Sequence, residues 1–62
     1  MLKVRVWDRE RMYDPNYDGP MEYVVRQLFT DTEANIRFTD MDGHLYILNP
    51  DGYLVDVFME VK

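Results

Sequence analysis

The chain has 62 residues, enough for one small domain but close to the lower limit for a core that folds alone. It contains no cysteine, which excludes disulfides and thiolate metal sites and indicates a reducing, intracellular compartment. Hydrophobic residues make up 47% of the chain, too many for a disordered segment, and the net charge of −5 disfavours direct binding to nucleic acid.

The basic residues are concentrated near the start of the chain, as Lys3, Arg5, Arg9 and Arg11, and the remainder is acidic. An acidic domain is expected to attract a basic partner surface. The longest uninterrupted apolar run, residues 45–48, is far shorter than the roughly 20 residues that a membrane helix needs. Because no charged-then-apolar leader opens the chain, we expect a cytoplasmic protein without a membrane segment.

The first predicted element is a strand over residues 2–8, where apolar residues alternate with polar or aromatic ones. Residues 9–19 lack periodicity and are rich in Pro, Gly, Asn and Asp, which favour turns for local backbone reasons. They are therefore expected to form a loop, which carries Tyr13 and Tyr17.

From Pro20 the spacing changes to that of an amphipathic helix. Five apolar residues fall on one helical face: Met21, Val24, Val25, Leu28 and Phe29. Pro20 suits a first helical turn, because its missing N–H would have no partner there. A strand is the alternative, since residues 23–25 favour β structure, but regular alternation would place Arg26 on the same face as Leu28. We therefore predict a helix over residues 20–30.

The remaining chain predicts three strands joined by tight turns. Residues 35–39 and 44–48 alternate around an Asp- and Gly-containing turn at 40–43, which favours a hairpin. A second turn at 49–52, with Pro and then Gly, precedes an alternating run over 53–61. We expect these last three strands to form a meander.

The predicted element order is thus β-α-β-β-β within a single domain spanning residues 1–62. No internal repeat or low-complexity segment interrupts it. The expected fold class is α+β, with one helix packed on one face of an antiparallel sheet.

The sequence offers little for catalysis. It contains neither serine nor cysteine, and His44 is its only histidine, so a serine or cysteine nucleophile paired with histidine and a histidine metal cluster are both excluded. The threonines at 30, 32 and 39 lie at predicted element ends, where capping is their ordinary role. Asp40 and Asp42 before Gly43 match the magnesium-binding pattern of haloacid-dehalogenase-type phosphatases, but that fold needs a much longer parallel sheet. A calcium loop would require further acidic ligands. We therefore interpret these residues as a hairpin turn, and predict a protein that is not an enzyme and has no catalytic, metal or cofactor residues.

Three acidic residues have no obvious structural role in this prediction. Asp31 and Glu33 follow the predicted helix, where negative charge is unfavourable to the helix dipole. The turn that contains Asp51 is expected at the same end of the sheet, so the three carboxylates are predicted to cluster. They form either a patch that binds a basic partner or a solvated edge that aids solubility.

Five aromatic residues are not clearly assigned to the core by periodicity. Such side chains anchor interfaces, because they bury a large area and keep a polar tip. Packing within a small domain is the alternative explanation. The candidate interaction residues of this kind are Trp7, Tyr13, Tyr17, Tyr46 and Tyr53.

The run Lys-Val-Arg-Val-Trp-Asp-Arg-Glu over residues 3–10, followed by Met12 and Tyr13, resembles the opening of YopX-like proteins of phages and prophages. The shared core is Arg-x-Trp-Asp, and a fainter likeness covers residues 38–45. The glycine-rich, acidic run that these proteins carry later has no counterpart here. The resemblance implies a mostly β accessory protein, encoded by a phage and present in the cytoplasm of an infected or lysogenic bacterium.

These observations favour an acidic phage accessory protein that binds a host protein, such as a defence factor or a replication factor with a basic, nucleic-acid-handling surface. One alternative is a self-assembling structural or scaffolding module, in which the last strand or a free sheet edge pairs with another copy. A further alternative is a single-strand nucleic-acid binder, with the early basic residues on the backbone and Trp7 and Tyr13 as stacking platforms.

Overall fold

The computed structural model describes residues 1–61 and places five β-strands in one sheet. The strands are β1 (Leu2–Asp8), β2 (Met21–Thr30), β3 (Ile36–Asp40), β4 (Leu45–Leu48) and β5 (Tyr53–Met59). Their order across the sheet is β4-β3-β2-β1-β5, and all neighbours are antiparallel. No helix occurs among the described residues, so the predicted α+β class and β-α-β-β-β order are wrong and the fold is all-β. Within that range, no helix has the length and apolar character needed to cross a membrane.

β1 has the predicted bounds and lies between β2 and β5. Lys3 pairs with Val24 on one side and with Phe58 on the other. Strand alternation places Val4 and Val6 on the opposite face from Lys3, where both valines are buried. We call this the inner face, and the face that carries Lys3 the outer face.

Residues 21–30 form β2 where a helix was predicted, and a β-bulge accounts for the misleading spacing. The pairing of β2 with β3 shifts register between Val25 and Gln27, so an extra residue lies between them. Val25 and Leu28 therefore both pack in the core although they are three positions apart, a separation that is also typical of a helical face. On a regular strand Arg26 would share a face with Leu28, which favoured the helix prediction. In the structure Arg26 is exposed at the bulge.

β3 and β4 form the predicted hairpin, with Phe38 paired to Tyr46. The turn between them is closed by backbone hydrogen bonds from Gly43 N to Asp40 O and from Asp40 N to His44 O, both 3.1 Å. Gly43 has a φ of 86°, a left-handed conformation that glycine adopts without steric cost.

β5 pairs with β1 rather than with β4, so the predicted meander of the last three strands is wrong. The turn at 49–52 carries the chain from one edge strand of the sheet to the other. Four residues can connect opposite edges only if the sheet curls strongly, and the bulge in β2 adds twist and bend at its middle. A hydrogen bond of 3.0 Å from Arg9 N to Gly52 O fastens this turn to the end of β1.

The core lies on the inner face of the curled sheet. Four residues form its buried centre: Val4, Val6, Val25 and Phe38. Partly buried residues from all five strands surround them: Leu2, Tyr23, Leu28, Ile36, Tyr46, Leu48 and Val55. Since the core is small, part of the inner face stays open, and the candidate site lies there.

Candidate binding site

A cavity of about 440 Å³ opens on the inner face. It lies where the end of β1, the starts of β2 and β5, and the β3–β4 hairpin come together, and the loop at 9–20 forms one wall. A volume of several hundred Å³ is typical of pockets that bind small ligands or single side chains of a partner. The curl of the sheet creates the cavity, because Leu48 of one edge strand and Tyr53 of the other both line it.

Three aromatic rings form the floor of the cavity. Tyr46 stacks on Phe38, with centroids 4.7 Å apart, and Tyr23 lies at 4.8 Å from Tyr46 and 5.4 Å from Phe38 in tilted arrangements. The Tyr46 hydroxyl donates a hydrogen bond of 3.1 Å to Asp40 Oδ2. Burial raises the pKa of Tyr46, and the hydrogen bond to Asp40 raises it further, so the phenol is neutral at physiological pH.

The loop at 9–20 supplies a fourth aromatic residue, Tyr17. Successive turns build this loop, because Asp14 N donates to Arg11 O and Tyr17 N donates to Asp14 O, each at 2.9 Å. The Tyr17 hydroxyl accepts a hydrogen bond of 2.9 Å from the backbone N–H of Asp8, which ties the loop back to the end of β1. Tyr17 is thereby held as a wall of the cavity.

The charged lining consists of two carboxylates and one guanidinium, from Asp8, Asp18 and Arg11. The Arg11 guanidinium carbon lies 5.7 Å from the centroid of the Tyr17 ring, within the range of a cation–π contact. Arg11 forms no ion pair with any carboxylate of residues 1–61. The cavity lining therefore has a net charge of −1.

The cavity brings together three of the five predicted aromatic residues: Tyr17, Tyr46 and Tyr53. Trp7 lies outside it, on the outer face, where it pairs with Leu54 of β5. Tyr13 lies in the loop and is 87% exposed.

The predicted acidic residues lie away from the cavity lining, in two turns. Because Ile36 pairs with Leu48, the 31–35 turn and the 49–52 turn leave the same end of the β3–β4 pair. The clustering of Asp31, Glu33 and Asp51 stays a prediction. Asp51 belongs to a tight turn, in which its backbone N–H donates to Asn49 Oδ1 at 2.7 Å.

Asp31 has a local structural role that the sequence prediction missed. Its Oδ1 accepts hydrogen bonds from the backbone N–H groups of Glu33 and Asn35, and its Oδ2 accepts one of 2.8 Å from Arg37 Nε. Residues 21–30 are a strand, so Asp31 does not follow a helix end and faces no unfavourable helix dipole. The Arg37 contact, with help from the Asn35 and Glu33 hydrogen bonds, lowers the pKa of Asp31 to about 2.

Asp40, Asp42 and His44 form a second cluster, whose candidate metal-ligand atoms lie within 4.8 Å of one another. Asp40 Oδ1 accepts hydrogen bonds of 2.9 Å from the backbone N–H groups of both Asp42 and His44. Burial alone would raise the pKa of Asp40, but these hydrogen bonds and the one from Tyr46 lower it on balance. These hydrogen bonds explain why the three side chains lie together, because they shape the predicted hairpin turn.

The basic residues of β1 are engaged on the outer face. Lys3 Nζ lies 2.6 Å from Glu60 Oε2, and Arg5 Nε lies 3.3 Å from Glu22 Oε2. The hydrogen bond between Lys3 and Glu60 raises the pKa of the lysine and lowers that of the glutamate. Arg5 also lies over the Phe58 ring, at 4.5 Å from its centroid. These contacts offset much of the positive charge that a nucleic-acid backbone would require.

Sequence reasoning identified three of the twelve residues that line the cavity. Tyr23 was not identified as a candidate because it fell within the predicted helix, and Phe38 was assigned only to a strand. Asp8 ends the first predicted strand and Asp18 lies near the end of the predicted loop, so a loop that folds back over the sheet brings them to one site. Comparison of the chain with protein-family models, curated proteins and solved structures gave no match.

Proposed function

We propose that the protein is a small acidic binding protein that engages another protein through the cavity on its inner face. The observation that carries this proposal is the aromatic lining of a cavity of about 440 Å³ on a domain that has four buried core residues among residues 1–61. Tyrosines are favoured at interfaces because they combine a large apolar area with a polar tip. Tyr53 adds a fifth ring at the rim, so five aromatic side chains converge on one opening.

The lining chemistry supports binding over catalysis. It contains aromatic and aliphatic surface, two carboxylates and one guanidinium, and no histidine among the described residues that line it. Asp8 Oδ1 is already engaged by the backbone N–H of Glu10 at 3.0 Å. The groups present can hold a partner by contact and charge.

The biological setting that we propose is a phage accessory protein in the cytoplasm of a bacterium, where it binds a host protein and inhibits it. Support comes from the Arg-x-Trp-Asp run shared with YopX-like proteins and from the absence of cysteine. The net charge of −5 suits a partner with a basic surface, such as a defence or replication factor that handles nucleic acid.

The test is an affinity capture from bacterial lysate with two matched variants. Tyr53 and Leu54 are adjacent on β5 and equally exposed, at 38% and 37%, but Tyr53 lines the cavity whereas Leu54 pairs with Trp7 on the outer face. We expect the wild-type domain and Leu54→Ala to retain the same salt-sensitive host protein, identified by mass spectrometry, and Tyr53→Ala to lose it. Equal capture by the two folded variants, or none above an acidic control protein, would overturn the proposal.

Self-association is a second candidate function, favoured by the edge strand β4. This strand contains no charged residue, and its outer-face side chains Leu45 and Ile47 are 54% and 50% exposed. An uncharged, apolar edge is a template for pairing with another chain. Sedimentation velocity over a wide concentration range should then show a dimer that Ile47→Lys abolishes, and a concentration-independent monomer would remove this candidate.

A further inference from the structure

We propose that the cavity takes the protonated side chain of an arginine or lysine from the partner protein. This inference rests on the proposed function and specifies the chemistry of the group that enters the site. The ligand is a cation held over tyrosine rings, with the carboxylates of Asp8 and Asp18 in the cavity lining as counter-charges.

The aromatic lining supplies the attraction for a cation. The faces of Tyr and Phe rings carry negative potential, and a cation within about 6 Å of a ring centroid is attracted to it, more strongly where water is excluded. Four tyrosines and one phenylalanine line the cavity, and Tyr23, Phe38 and Tyr46 are packed within 5.4 Å of one another. A guanidinium or ammonium group above this floor would have several rings within reach.

The chain already holds a guanidinium against one of these rings. Arg11 lies over Tyr17 at 5.7 Å, without an ion pair to any carboxylate in the described part of the chain. This contact shows that a tyrosine wall of the cavity accepts a guanidinium. Arg11 is exposed and lies on a loop, so it can yield its place to an incoming side chain.

The charges of the site favour a cation over an anion. Asp8 and Asp18 outnumber Arg11, and the net charge of −5 makes the whole molecule attractive to positive groups. The Asp18 carboxylate accepts no hydrogen bond from another side chain or from the backbone within residues 1–61, so it is free to pair with a ligand. An extended basic segment could place one side chain in the cavity and others near the rim.

The experiment is an NMR titration of the labelled domain with two capped tripeptides, Gly-Arg-Gly and its citrulline counterpart. Citrulline has nearly the shape of arginine but no charge, so the pair isolates the effect of the cation. We expect saturable shifts at cavity residues such as Tyr17, Gly19 and Tyr53 with the arginine peptide. Its affinity should be roughly tenfold higher than that of the citrulline peptide, the order expected for a cation over aromatic rings with counter-charges nearby.

Three variants sharpen the result. Asp18→Asn should weaken binding of the arginine peptide by about two- to fivefold, as expected for an exposed ion pair, whereas the equal charge change Asp56→Asn, on the outer face of β5, should not. Arg11→Gln should strengthen binding, because it removes a competing cation. Weaker binding of the arginine peptide by Arg11→Gln would instead indicate that Arg11 itself holds the ligand.

Equal binding of the two peptides, or an absence of shifts at the cavity, would overturn the inference. The proposed function would still stand if Tyr53→Ala abolished capture of the host protein while Leu54→Ala did not. Chemical-shift changes spread evenly over the acidic surface would also overturn the inference of a cation site in the cavity, since they would indicate diffuse charge attraction.

Discussion

The ring of Tyr46 lies on the ring of Phe38, with centroids 4.7 Å apart and planes inclined by 15°. Phe38 is fully buried among the core valines and Tyr46 is partly buried, and both line the cavity. This stacked pair therefore joins the hydrophobic core to the floor of the candidate site. Stability and binding depend on the same side chains.

Phe38→Ala should unfold most of the population. Truncation of a buried Phe costs about 3–5 kcal/mol, as much as the roughly 3–5 kcal/mol that a core of this size supplies in total. Phe29→Ala is the matched control, because Phe29 lies on β2 with its side chain 48% exposed; its cost should be below about 1 kcal/mol. Urea titrations followed by circular dichroism measure both, and equal costs would contradict the assignment of the core.

The neighbours Val24 and Val25 test the strand and its bulge. Val25 is buried on the inner face, while Val24 pairs with Lys3 and lies partly exposed on the outer face. Val25→Thr keeps the shape but buries a hydroxyl, and should lower the free energy of unfolding by about 1–3 kcal/mol. Val24→Thr should change it by less than about 0.5 kcal/mol. A helix with both valines on its buried face would give comparable losses.

These two valines also show where prediction from sequence failed. The alternation in β1 and the Gly43 turn of the β3–β4 hairpin are local signals, and both were read correctly. The bulge in β2 was not, because the three-residue spacing from Val25 to Leu28 matches a helical stripe as well as a bulged strand. Single-sequence periodicity cannot separate the two, since the register is set by pairing with β3.

The candidate site was only partly predictable for a related reason. The tyrosines were recognised as candidates by their chemistry, but their convergence depends on β5 pairing with β1. That pairing joins residues far apart in the chain, and a tight turn at 49–52 reads as a local hairpin. Asp31 was misjudged because its partner Arg37 becomes a neighbour only after the 31–35 turn forms.

Asp31 should make the stability of the protein depend on pH in the acid range. Its pKa in the folded protein is about 2, below the ordinary value of 3.8, so the charged form stabilises the fold. That contribution is complete above about pH 4 and is lost as the pH falls through about 2. We expect Asp31→Asn to be less stable than the wild type at pH 7, and the difference in unfolding free energy to shrink between pH 4 and 2.

Glu33→Gln is the control for this experiment, because Glu33 is exposed in the same turn and its carboxylate accepts no hydrogen bond within residues 1–61. It should keep the pH profile of the wild type. A constant difference between the wild type and Asp31→Asn at all pH values would contradict the assigned role of the Arg37 contact.

The two turn glycines should respond differently to alanine. Gly43 has a φ of 86° and an added Cβ would meet no atom within 4 Å, so the cost is one of backbone conformation alone. We expect Gly43→Ala to lower stability by about 1–2 kcal/mol. Gly52 lies outside the left-handed region, and its Cβ would meet Asn49 O at an ordinary 3.9 Å. Gly52→Ala should therefore be neutral or slightly stabilising in thermal unfolding, and a larger loss there than at Gly43 would refute this account of the turns.

The most direct test of the binding proposal is site-specific photo-crosslinking in bacterial cells. Benzoylphenylalanine is placed at Tyr53 in one variant and at Leu54 in another, so that adjacent positions report on opposite faces of β5. We expect a crosslink to one distinct host protein from position 53 and none to that protein from position 54. The same crosslinks from both positions, or crosslinks only to a second copy of the domain, would contradict the claim that the cavity is where a host protein binds.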